Sequence, residues 1–152
     1  MQTESARMAS AREAAFRVPY PNSRPRTARL VALDRASEPF VAHLLRDHPG
    51  RVALPLAGED DPVAAARALI AALDGTDLLV MISTSGEDSP AASLIAEACR
   101  LRHLPVTVFV LDTPGRAGEL PQRLAHLRPY AQMLVRASGP EYVEDMLTAL
   151  RV

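Results

Sequence analysis

Lysine is absent, and all seventeen basic side chains are arginine. That removes Schiff-base and lysine-nucleophile chemistry from consideration. Cysteine occurs once, at Cys99, which excludes an internal disulfide and a thiolate-rich structural zinc site. A lone thiol fits a reducing, cytoplasmic setting. No apolar run approaches the roughly 18 to 20 residues that span a bilayer, so no membrane segment is expected. No apolar stretch of the secretory type stands near the start, and the Arg- and Ser-rich look of the leader follows from an arginine bias spread along the whole chain. Aromatic residues are few, three Phe and three Tyr without basic interleaving, so nucleic-acid binding is not expected. The four histidines never fall in a metal-ligand spacing: His43 and His48 are five apart, off one helical face.

What is present is a chain of 152 residues, 48% apolar, which suits one compact domain. Charge is unevenly placed. Residues 1–29 carry six arginines against Glu4 and Glu13, whereas residues 30–152 carry eleven against sixteen acids. Three prolines in "VPYPNSRPR" (18–26) make that stretch an extended linker. The division expected is a flexible basic segment over 1–28 and a folded domain over 29–152.

Within the domain, apolar strand-like runs alternate with helical patterns. "RLVAL" (29–33), "RVALPL" (51–56), "DLLVMIS" (77–83), "VTVFVL" (106–111) and "QMLVRA" (132–137) are the strands. Helices are expected over 39–47, 62–73, 90–102, around 117–128, and over about 140–150. Asp61-Pro62 and Ser89-Pro90 place a capping acceptor before a proline at the first helical position, and Ser138-Gly139-Pro140-Glu141 has the spacing of a capping box. Five such units predict an α/β fold of three layers: a Rossmann-like, five-stranded parallel sheet with helices on both faces. The third and fourth strands are apolar throughout and belong at the centre. Pro55 lacks a ladder donor and puts the second strand at an edge. Right-handed crossovers then give the order 2-1-3-4-5.

In an open α/β sheet the ligand crevice lies beyond the strand ends where the winding reverses. Here that point lies between the first and third strands, at "DRASEP" (34–39) and "STSGEDSP" (83–90). Ser37, Ser83, Thr84, Ser85, Gly86 and Ser89 are the candidate anion-binding residues, with Arg35 as a source of charge and the helix start near Pro90 adding free N–H groups. Asp34, Glu38, Glu87, Asp88 and Asp112 are the carboxylates of the region, and Glu87 is the one candidate general base. A carboxylate pair beside a phosphate is also a possible seat for Mg²⁺. Cys99, mid-helix among Ile95, Ala98 and Arg102, reads as a core or flank residue.

Two resemblances bear on the same loop. "ISTSGEDS" resembles the phosphosugar-binding loop of SIS (sugar isomerase) domains, with Ser83, Ser85, Gly86 and Glu87 on the pattern, and implies a sugar phosphate as ligand and an isomerase or phosphosugar sensor as function. "ALDGTDLLVMISTSG" and "AASLIAEACRLRHLPVTVFVL" resemble the segments entering and leaving the phosphate loop of tubulin/FtsZ-type nucleotide-binding domains. In that family the loop is a glycine run; here Ser85-Gly86-Glu87-Asp88-Ser89 stands in its place. The expectation is a degenerate relative: a non-catalytic accessory or regulatory protein that binds a phosphate-bearing small molecule, as a homodimer or within a larger assembly. The alternatives are the SIS-like enzyme or sensor, and a purely structural subunit.

Overall fold

The structure, a computed structural model, describes residues 24–46, 48–54, 62–84, 90–112, 122, 125 and 127–152. Five strands, β1 (Ala28–Ala32), β2 (Arg51–Leu54), β3 (Leu78–Ser83), β4 (Val106–Leu111) and β5 (Met133–Ala137), form one parallel sheet in the order β2-β1-β3-β4-β5. Four helices are described: α1 (Glu38–Leu45), α2 (Pro62–Ala71), α3 (Pro90–Leu101) and α4 (Pro140–Ala149). Fold class and strand order agree with the expectation from sequence. Of the helical stretch expected around 117–128, positions 122, 125 and 127 are helical and a 3-10 turn follows over Arg128–Tyr130; the other positions lie outside the described residues.

The apolar runs explain the layering. Every residue of β3 and of β4 is buried, as strands covered on both faces require. Alternation along the sheet then sorts side chains into two cores. On one face Val31, Met81, Val108 and Val110 meet Ala92, Ile95 and Cys99 of α3 and Leu73 beyond α2. On the other, Leu30, Val80, Ile82 and Phe109 meet Val41 and Leu44 of α1 and Val143 and Leu147 of α4. The spacings 41/44, 92/95/99 and 143/147 are those of a single helical stripe. Burial pushes the Cys99 thiol up to about 11, so it stays protonated at neutral pH and belongs to this packing. Gly75 takes the left-handed φ of 72° that the turn from α2 into β3 requires.

The helix starts at Pro62, Pro90 and Pro140 fall where the prolines place them. The caps at Asp61 and Ser89, and Pro55 itself, lie outside the described residues. The capping box expected at Ser138–Glu141 is not formed. Gly139 is the N-cap and no side chain caps the helix. With Pro140 as the first helical residue, Ser138 stands one position too early and Glu141 one position short of its partner. Two contacts tie the chain just ahead of β1 to the domain. The Thr27 N–H donates to Asp77 Oδ2 at 2.8 Å and the Arg26 N–H to the Arg151 carbonyl at 2.8 Å.

β2 is the edge strand beside β1, and its first residue fastens it. The Arg51 side chain has no solvent exposure. Its guanidinium donates to Glu144 Oε2 (2.8 Å) and Oε1 (2.7 Å), to the Leu44 carbonyl (2.9 Å) and to the Val152 carbonyl (3.0 Å). This one group joins α1, β2, α4 and the chain beyond α4. Only its Nε lacks a partner. The Arg51 hydrogen bonds hold the Glu144 carboxyl below its ordinary value of 4.5, with the charges of Arg51, His48 and His43 adding to the effect.

Two consequences are testable by denaturant unfolding. Glu144→Ala strands a buried guanidinium and is expected to cost about 3 kcal/mol, while Arg51→Met, which removes the buried charge, is expected to cost less. Because the Glu144 pKa is lowered on folding, its contribution is present above about pH 4.5 and disappears as pH falls through the folded value. Glu144→Gln is therefore expected to flatten the loss of stability below pH 4.5 relative to the unsubstituted chain; equal slopes would show that this carboxyl does not drive acid unfolding.

Candidate functional site

The winding of the sheet reverses between β1 and β3, so the crevice opens at their C-terminal ends. β1 runs through Leu33, whose N–H donates to the Ile82 carbonyl at 2.8 Å, and into a 3-10 turn over Arg35–Ser37. Asp34 caps that turn. Its Oδ1 accepts from the Ser37 N–H at 2.9 Å, and the Ser37 hydroxyl oxygen accepts from the Asp34 N–H at 3.4 Å, which together make a capping box.

The same carboxylate reaches across the switch point. Asp34 Oδ2 accepts from the Ser83 hydroxyl and from the Thr84 N–H, both at 2.8 Å, and Oδ1 accepts from the Thr84 hydroxyl at 2.7 Å. Each oxygen thus receives two donors, which fills the roughly four lone-pair positions of a carboxylate. Ser37 adds a second tie, because its hydroxyl lies within donating distance of the Asp34 carbonyl (2.8 Å) and the Ile82 carbonyl (3.0 Å). Ser37 and Ser83 are buried, at 0% and 1% exposure. Residues about fifty apart in sequence are thereby locked into one polar knot under the crevice.

This placement changes the part played by three expected anion ligands. Ser37, Ser83 and Thr84 are brought to the predicted place, but a hydroxyl has one proton to give, and each gives it to a protein acceptor. These contacts brace the loops. Arg35 stands exposed on the turn beside them. Ser85, Gly86, Glu87, Asp88 and Ser89 lie outside the described residues.

At the other side of the crevice, Asp112 follows β4. Its N–H donates to the Ala137 carbonyl at 2.9 Å, and its Oδ1 accepts from Arg136 Nε of β5 at 2.7 Å. That hydrogen bond and the carboxylate charge raise the Arg136 pKa. Asp34 is fully engaged, whereas Asp112 meets Arg136 through one oxygen and is partly exposed. The described residues also do not fit a Mg²⁺ site: Asp34 has no vacant oxygen position, and no group of three His, Cys, Asp or Glu with metal-binding geometry occurs among them.

The hub role of Asp34 is the feature missed from sequence, although half of its signal was present. Asp34-x-x-Ser37 has capping-box spacing at the end of a strand. The other half, the reach to Ser83 and Thr84, depends on β1 and β3 being neighbours. No protein-family model matches the chain, and no curated protein matches it. Among the described residues no helix is long and apolar enough to cross a membrane.

Asp34→Ala strips the acceptor from the buried Ser83 hydroxyl and the Ser37 N–H, at about 1 to 3 kcal/mol for each unsatisfied group. A loss of roughly 3 kcal/mol in urea unfolding is expected, with Asp34→Asn intermediate because one amide oxygen still accepts. A loss under about 0.5 kcal/mol for Asp34→Ala, the usual size of a surface substitution, would show that the knot does not hold the loops.

Proposed function

We propose that the chain is a small accessory protein that binds a phosphate-bearing molecule without converting it, in the crevice beyond β1 and β3. The ligand sits on the 83–89 loop and the start of α3, with Arg35 beside it, and the Asp34 knot underneath keeps those loops in register. The 34–37 and 83–84 segments carry the placement, since open α/β sheets bind at this point and the structure braces it. The observation that carries the non-catalytic reading is the full engagement of Asp34, which takes four donors; Asp112 meets Arg136 through one oxygen, and Glu38 stands exposed in the first turn of α1. A general base must be within reach of a substrate proton with an acceptor position to receive it. The loop is of degenerate nucleotide type, so nucleotide and sugar phosphate are the two ligand classes to compare.

We place the protein in the cytoplasm, where the free thiol of Cys99 is at home, and as a homodimer or a subunit of a larger assembly. Leu94 and Leu101, 43% and 67% exposed on α3, support assembly.

The test is a thermal-shift panel of guanine and adenine nucleotides with and without Mg²⁺, sugar phosphates, and inorganic phosphate. A ligand at one hundred times its dissociation constant adds about 2.7 kcal/mol, a shift of several degrees for a domain of this size. Ser85→Ala is expected to weaken the responding ligand roughly tenfold or more, the loss of one hydrogen bond to a charged oxygen. No response across the panel, or a response untouched by Ser85→Ala, removes the site. Turnover of a sugar phosphate that Glu87→Gln abolishes would replace the non-catalytic reading with an isomerase. Light scattering at tens of micromolar is expected to give more than the monomer mass of 16.4 kDa, and a monomer would remove the homodimer.

A further inference from the structure

A pocket lies at the end of the sheet away from the crevice, where α1 ends and β2 begins, and among the described residues His43, Arg46, His48 and Glu144 bound its volume of about 300 Å³. We propose that it is a binding site for a small oxyanion, a sulfate, phosphate or carboxylate group, separate from the crevice. Three observations converge on that chemistry.

The first is that every described side chain bounding the pocket is ionisable and none of these is apolar. An apolar ligand gains nothing there. The second is the charge balance. Glu144 already accepts two hydrogen bonds from the buried Arg51 guanidinium and one contact from His48 Nε2 at 3.0 Å, so its negative charge is matched from within. Arg46, exposed at the rim, has no carboxylate among its described contacts. A guanidinium placed so attracts anions locally.

The third observation fixes the donors. Arginine only donates, so His43 Nδ1, 2.6 Å from Arg46 Nη2, is the acceptor and its ring proton is on Nε2. His48 turns its Nε2 to Glu144. Arg46 keeps its remaining N–H groups and His43 its Nε2–H for a ligand. The charged and titratable groups facing the two imidazoles are Arg46 of the segment after α1, Arg51 of β2 and Glu144 of α4. No three-residue His, Cys, Asp or Glu group of metal-binding geometry occurs among the described residues. The volume, at the low end for small-ligand sites, admits one oxyanion group and a small remainder.

Sulfate is the probe, because its charge does not change across the working pH range. It is titrated at about pH 6 against chloride of matched ionic strength, following the imidazole signals of His43 and His48 by NMR. Saturable shifts of both signals in the millimolar range are expected. Arg46→Gln, an exposed position that does not disturb the Arg51 knot, is expected to weaken binding about tenfold, the loss of a charge-assisted hydrogen bond, while Ser85→Ala leaves it unchanged. Absence of saturation, retention of full affinity in Arg46→Gln, or loss of affinity in Ser85→Ala would each overturn the assignment. The last outcome would move the anion to the crevice.

Discussion

The carboxylate of Asp34 is the constraint on which the geometry of the crevice depends. Backbone hydrogen bonds hold β1 and β3 together along their length, but they end with the Leu33 N–H on the Ile82 carbonyl. Beyond that point two loops must leave the sheet in different directions, one toward α1 and one toward α3. A single acceptor-only group that takes two donors from each oxygen sets both departures at once. The cost of such a buried polar knot is low only because it is fully satisfied. The 3-10 turn, the start of α1 and the direction of residue 84 are fixed by the same contacts, so a change at Asp34 is felt in all three.

Much of this architecture is legible in the sequence because it rests on signals of short range. β3 and β4 declare themselves by unbroken apolar runs, and the prolines at 62, 90 and 140 mark helix starts. Strand order followed from those runs and from the handedness of crossovers. The candidate site was legible in position but not in role. Its hydroxyls stand where the topology puts them, yet which acceptor takes their protons depends on a partner some fifty residues away. Ser138–Glu141 shows the opposite failure: a local spacing with the right letters, undone when Pro140 claimed the first helical position. Arg51 was invisible for a further reason. Nothing local distinguishes an arginine at the head of an edge strand from one in solvent until the elements that bury it are in place.

The two family resemblances point to one loop and divide over its occupant. Asp34 is committed to bracing the loops, while Asp112 meets Arg136 through one oxygen and Glu38 stands exposed. In the proposed reading recognition falls to residues 85–89 and Arg35, in keeping with binding residues placed on loops that a scaffold positions.

The Arg51 knot has a bearing on how the domain assembles. It joins residue 51 to residues 144 and 152, separations of 93 and 101 along the chain. A link of that span closes late, because the entropy of a long loop must be met before the contact rewards it. Until α4 arrives, β2 is held only by β1 and α1, with a guanidinium facing solvent where its partners will stand. Emerging from the ribosome, the first half of the domain can pair its strands but cannot seal its edge; synthesis must reach the last helix before the sheet is secured on that side.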